Sequence, residues 1–156
     1  MAQERNERNQ GQGSRRIRDV MTPNPKTVSE KDSIRDAAQI MAREDTGVVP
    51  VVEGKKIIGL ITDRDIVVRL IAEGKDCATA RVREVMSKSV KAVKEDTPLS
   101  EVLELMSNAQ IRRVPVVNQN NELVGIVSIG DISTRSEEAT KVGKAVEEIS
   151  EGRPNN

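Results

Sequence analysis

The chain has no histidine, phenylalanine, tyrosine or tryptophan, a single cysteine and no surplus of either charge: 25 Lys and Arg stand against 25 Asp and Glu in 156 residues. Each shortage excludes something. Without histidine the commonest general base and transition-metal ligand are missing, so enzymatic chemistry would have to rest on carboxylates, lysine or serine. Cys77, standing alone, permits no intrachain disulfide and no multi-cysteine zinc site. A reactive thiol also needs a neighbouring cation or helix N-terminus, and none is evident beside it. Without aromatic rings a planar ligand has nothing to stack on and must lie among Val, Ile, Leu and Met. Balanced charge removes the basic field that draws nucleic acid, so no nucleic-acid partner is expected. No apolar run approaches the roughly 20 residues of a membrane helix. The start "MAQERNERNQ" lacks a signal peptide's apolar stretch, so a cytoplasmic protein with no membrane partner is expected.

What the chain does have is repetition. A shift of 65 lays "IRDVM" (17 to 21) on "VREVM" (82 to 86), Val28 on Val93, Met41 on Met106 and "VPVV" (49 to 52) on "VPVV" (114 to 117). One extra residue after Val117 then brings Gly59 onto Gly125, Thr62 onto Ser128 and Asp65 onto Asp131. Each copy reads as strand, helix, strand, strand, helix. Ile34, Ala37, Ala38 and Met41, and likewise Leu99, Val102, Leu103 and Met106, follow helical spacing. Asp32 and Thr97 are the expected N-caps, with Pro98 opening the second helix. "VVPVV" and "RVPVV" are short and β-branched, and their prolines suit an edge or a strand start better than a central rung. With "IIGLIT" and "LVGIVS" they read as hairpins. A second helix is expected from about Asp63 to Ala72, ending near Gly74, with a shorter counterpart from Ile129. Short strands around Val28 and Val93 precede the first helices.

The expected organisation is a disordered tail over 1–16, a repeat over 17–72, a linker over 73–81, a repeat over 82–135, and a C-terminal helix and tail over 136–156. In the last helix Val142, Ala145, Val146 and Ile149 form a narrow stripe, suited either to packing on its own subunit or to a dimer contact.

The repeated device is "GLITDRD" at 59 to 65 and "GIVSIGD" at 125 to 131. A strand delivers Thr62, a turn starts a helix, and Asp65 falls in its first turn. A hydroxyl, a carboxylate and unpaired backbone N–H groups then surround one spot, suiting a ribose that carries a phosphate. The same residues also make a capping box, which duplication would copy as faithfully as a site; the two roles can coexist.

The run "VMTPNPKTVSEKDSIRDAAQIMAREDTGVVPVVEGKKIIGLITDRDI", with "VREVMSKSVKAV" and "QIRRVPVVNQNNELVGIVSIGDI", resembles a tandem pair of CBS (cystathionine-beta-synthase) domains across residues 17 to 133, in the manner of a small stand-alone bacterial CBS-pair protein. The resemblance implies an α/β (α+β) fold of two β-α-β-β-α repeats packed with pseudo-twofold symmetry, with two clefts for adenosine-containing ligands. It implies that Thr62 with Asp65, and Ser128 with Asp131, hold phosphate and ribose, and that Arg112 and Arg113, before Pro115, serve the phosphate bound at the opposite copy's motif. Their first-copy counterparts, Gly47 and Val48, carry no charge. The cleft using Thr62, Asp65, Arg112 and Arg113 should therefore suit a nucleotide with one or more phosphates, and the cleft using Ser128 and Asp131 should bind more weakly or prefer a less anionic adenosine compound. Arg64 either lends the Ser128 and Asp131 cleft a charge or points to solvent, and Arg112 and Arg113 either hold phosphate or make surface salt bridges. Val28, Val48, Val49 and Ile66 either line the adenine of the first cleft or belong to the core.

The expected function is non-enzymatic sensing of an adenosyl ligand, with AMP, ADP, ATP, NAD or S-adenosylmethionine as candidates. Its effect would pass to a partner protein or a homodimer. The helix face Ile66, Val67, Leu70 and Ile71 serves either a dimer contact or the core. The alternatives are a scaffold with vestigial clefts, and a hydrolase for which Asp63 and Asp65 would be a thin Mg²⁺ ligand set.

Overall fold

The computed structural model describes residues 15–135 and 145–149. They form two compact units. Among the described residues, the first-repeat unit comprises 24–91 with 120–123, and the second-repeat unit 15–23, 92–119, 124–135 and 145–149. These units do not follow the boundaries read from the repeat. The opening segment of each repeat folds with the body of the other copy, because its apolar residues are buried there. Val82, Val85 and Met86 lie in one core with Val28, Ile34, Val49 and Ile61. Ile17 and Val20 lie in the other with Leu99, Val102, Val114 and Val127. Residues 73–81 are no free spacer, since Ala80 is 5% exposed in the first-repeat core and its carbonyl accepts from Ile34 N–H at 3.3 Å.

In the second-repeat unit a sheet runs in the order β1 (Thr22–Pro23), β6 (Leu123–Ser128), β5 (Arg113–Val117), β4 (Val93–Lys94). β4 runs parallel to β5, and β1 antiparallel to β6. The first-repeat unit repeats this around the antiparallel hairpin of β2 (Val48–Glu53) and β3 (Lys56–Thr62). Single bridges supply its outer rungs, Val28 parallel to Val51 and Ser87 antiparallel to Leu60. The β1 and Ser87 rungs have too few residues to leave a periodic trace in the sequence.

The prolines are not at an edge. Val28 N–H donates to Pro50 O at 3.1 Å, and Val52 N–H donates to Val28 O at 2.9 Å. In a parallel ladder the missing Pro50 N–H would face a position beyond this one-residue rung, so nothing is left unpaired.

The helix α3 (Leu99–Ala109) buries its expected stripe, and α1 (Ile34–Glu44) buries Ile34, Ala37 and Met41 but leaves Ala38 exposed, with Ile40 packing partly on the core instead. Burying such an aliphatic side chain fully stabilises by roughly 1.5–3 kcal/mol, and these cores contain no ring to share the work. The caps differ from expectation. Ser33, not Asp32, caps α1, and Asp32 instead accepts from Ser29 N–H at 2.8 Å. Pro98, not Thr97, holds the N-cap of α3 without a side-chain bond. Ala145 and Ile149 are buried in the second-repeat core and Val146 packs on it, so this part of the C-terminal stripe serves its own chain. Val142 and residues 1–14 lie outside the described residues.

Gly59 and Gly125 mark close approaches. A Cβ on Gly59 would stand 2.8 Å from Ser87 O, and one on Gly125 would meet Met21 Sδ and Thr22 O. Gly59→Ala is therefore expected to destabilise by about 1–3 kcal/mol in urea unfolding followed by circular dichroism. An unchanged midpoint would show that these backbones do not constrain one another.

Candidate functional site

Each unit presents the same turn. In the first-repeat unit β3 ends at Thr62, paired with Val48 of β2, and the chain enters α2 (Asp63–Asp65, continued by Ile66–Ile71). Asp63 N–H donates to Gly47 O at 3.0 Å, closing the hairpin onto the helix start. Thr62 is extended, with φ −115° and ψ 159°, and its Oγ1 accepts from Asp65 N–H at 3.0 Å. Asp65 Oδ2 accepts from Thr62 N–H at 3.2 Å. The second-repeat unit matches this with β6 and α4 (Ile129–Arg135). Ser128 Oγ accepts from Asp131 N–H and Asp131 Oδ2 from Ser128 N–H, both at 3.0 Å. Both motifs are thus reciprocal capping boxes.

The box does not exhaust the chemistry of these side chains. Each hydroxyl accepts within the box and keeps its O–H for donation, and each carboxylate keeps a second oxygen outside it. Thr62, Asp65, Ser128 and Asp131 are all partly exposed, so solutes reach them. A hydroxyl donor beside a carboxylate acceptor suits a vicinal diol with an attached phosphate.

Charge divides the two turns. Ile129 N–H donates to Arg112 O at 2.9 Å, the counterpart of Asp63 on Gly47. By the same register Arg113, the first residue of β5, stands opposite Ser128. Arg112 and Arg113 are both exposed. At the first-repeat turn the corresponding place is occupied by a carboxylate, since a Cβ on Gly47 would lie 2.9 Å from Asp63 Oδ2. The second-repeat hairpin thus carries two exposed arginines where the first-repeat hairpin has the uncharged Gly47 and Val48, with the Asp63 carboxylate beside Gly47.

Of the other expected site residues, Arg64 is exposed, and its backbone N–H donates to Asp63 Oδ1 at 2.8 Å. Val28 and Val49 are 3% and 0% exposed within the first-repeat core, and Val48 is 8% exposed. A residue not singled out from the sequence, Arg69, reaches Asp65 and is taken up below; its signal was the spacing of four from Asp65, repeated as Arg135 after Asp131.

The α2 helix is wider than α-helical register. Ala72 N–H reaches back to Val67 O at 2.9 Å and Lys75 N–H to Leu70 O at 3.0 Å. Leu70 anchors it at 0% exposure, while Val67, Val68 and Ile71 are 55%, 49% and 57% exposed. No helix among the described residues is long and apolar enough to cross a membrane.

The profile of the CBS domain matches residues 17–72 and 82–151. The chain belongs to the CBS-domain family. It is similar to the CBS domain-containing protein YhcV of Bacillus subtilis, 40% identical over 134 residues that cover 86% of this chain and 94% of that protein. Among solved structures it is similar to Hypoxic Response Protein I with two coordinated zinc ions, at 35% identity and a TM-score of 0.71, covering 77% of this chain and 98% of that one. It is also similar to the CBS domain pair of protein MJ0100 in complex with 5′-methylthioadenosine and S-adenosyl-L-methionine, at 32% identity and a TM-score of 0.69, covering 77% and 98%. The α+β fold expected from the sequence is that of these CBS pairs.

Because the boxes close on the turn's own backbone, Thr62→Ala and Ser128→Ala should each cost about 1 kcal/mol of stability, with Thr62→Ser nearly neutral. Urea denaturation followed by circular dichroism checks this; equal midpoints for Thr62→Ala and wild type would remove the box from the account.

Proposed function

We propose that this protein is a non-enzymatic, cytoplasmic sensor of an adenosyl ligand, AMP, ADP or ATP before NAD or S-adenosylmethionine. Thr62 with Asp65 and Ser128 with Asp131 take the ribose, and Arg112 and Arg113 take phosphate. The observation that carries the reading is the boxed hydroxyl–carboxylate turn recurring at equivalent places, with an exposed arginine pair in the second copy. The adenosyl compounds bound to the MJ0100 pair support it. Absence of histidine argues against turnover, and binding alone suffices to move a two-state equilibrium when the ligand prefers one state. A scaffolding role is the second reading, favoured by the boxes satisfying their own backbone without any ligand.

The output surface we assign is α2. Its exposed Val67, Val68 and Ile71 fit a second copy of this chain, flanked by Arg64 at one end and at the other by Glu73, which Lys75 of the same chain meets at 3.4 Å. An antiparallel pairing centred between Val68 and Arg69 sets Arg64 opposite the partner subunit's Glu73, on both sides of the axis. Ile71→Glu is then expected to shift sedimentation velocity from dimer to monomer, and a wild-type monomer would contradict the pairing.

Isothermal titration calorimetry tests the ligand reading, since the chain has no ring for intrinsic fluorescence. Wild type should bind AMP saturably, and Arg113→Ala should weaken AMP by about tenfold while leaving 5′-methylthioadenosine, which has no phosphate, unchanged. No heat from ligand-free protein with either compound would favour the scaffold.

A further inference from the structure

Arg69 belongs to no part of the repeated motif, yet it touches the motif's carboxylate. Its Nε lies 3.7 Å from Asp65 Oδ1. Its Nη1 donates to Val85 O at 3.3 Å, sixteen residues further along the chain. Val85 is fully buried and follows the short helical turn Val82–Glu84. The Asp65 carboxylate is therefore addressed at both oxygens, by Thr62 N–H on Oδ2 and by Arg69 on Oδ1, and Arg69 is itself held by the backbone of a buried core residue.

The capping box does not need this arginine, because Thr62 and Asp65 close it between themselves. An isolated pair four residues apart on a helix surface would contribute little. Here the Asp65 side chain is only 15% exposed, and one guanidinium serves two acceptors on different elements. The planar guanidinium holds five donors in fixed directions and so sets the geometry between the two acceptors, which the compact, freely rotating ammonium of lysine does not. The spacing recurs in the second copy, where Arg135 follows Asp131 by four.

We propose that Arg69 is a positioning residue for the ligand: it fixes the Asp65 carboxylate so that its free lone pair on Oδ1 meets the ribose hydroxyls, and it ties that carboxylate to the backbone of Val85. The proposal rests on the adenosyl-ligand reading and deepens it. It assigns Arg69 to the ribose, which all adenosyl ligands share, and not to the phosphate.

The experiment is calorimetry of wild type, Arg69→Met and Arg69→Lys with AMP and with 5′-methylthioadenosine, together with amide hydrogen exchange at Thr62 in the ligand-free proteins. Arg69→Met should bind both compounds roughly three- to tenfold more weakly and by the same factor, and Arg69→Lys should not restore them. The Thr62 amide should exchange faster in Arg69→Met, while the Asp36 amide, in the separate Ser33–Asp36 box, keeps its rate. Unchanged affinities with unchanged Thr62 exchange would overturn the proposal, and full rescue by lysine would reduce it to charge alone. Wild type that binds neither compound would overturn the adenosyl reading and the ribose half of this inference. Thr62 exchange would then still decide whether Arg69 orients Asp65.

Discussion

The strand-to-helix turn closed by a reciprocal box is the constraint from which the rest follows. Thr62 and Asp65, and Ser128 and Asp131, each satisfy one orphan N–H of a helix start. That fixes where β3 and β6 end. It also fixes how the helix leaves the sheet, with Leu70 or Ile132 pressed into the core at 0% exposure. The residues that make the turn possible are those a ligand would use, so stability and recognition share the same atoms. Small polar side chains allow this because each has more hydrogen-bonding capacity than the box consumes.

A chain without rings has to build its interiors from Val, Ile, Leu, Met and Ala, which are small and mostly stiff. Two cores result, and each draws a segment from the other repeat to fill it. The close approaches at Gly59 and Gly125 are part of that economy, since each lets an outer rung lie directly against the hairpin. The exchange also gives the first-repeat turn a physical connection to Val85, through Arg69, that the second repeat contributes.

Much of this was legible in the sequence because it is periodic. The shift of 65 and then 66, the helical stripes of α1 and α3, and the hairpins were all readable, and so was the pairing of hydroxyl with carboxylate. What escaped has no period. Outer rungs of one or two residues at Thr22–Pro23 and Ser87 leave no alternation, and a repeat boundary in the chain is not a boundary in contact. Pro50 and Pro115 were read as edge signals. A central strand tolerates Pro50 because its neighbour rung is too short to require the missing N–H. Ser33 rather than Asp32 caps α1 because Asp36 stands three residues after it and completes a box. The valines weighed for adenine contact, Val28, Val48 and Val49, are buried, as β-branched residues in short strands ordinarily are.

The most direct test separates capping from recognition at the same carboxylates. Asn in place of Asp keeps an oxygen for the Thr62 or Ser128 N–H but presents an amide donor where the second carboxylate oxygen had been. The double variant Asp65→Asn, Asp131→Asn, followed by equilibrium dialysis against AMP with urea denaturation in parallel, is predicted to stay folded with a midpoint close to wild type and to lose AMP. A variant that holds AMP as tightly as wild type would contradict the account and leave the repeated turn as a pair of helix caps.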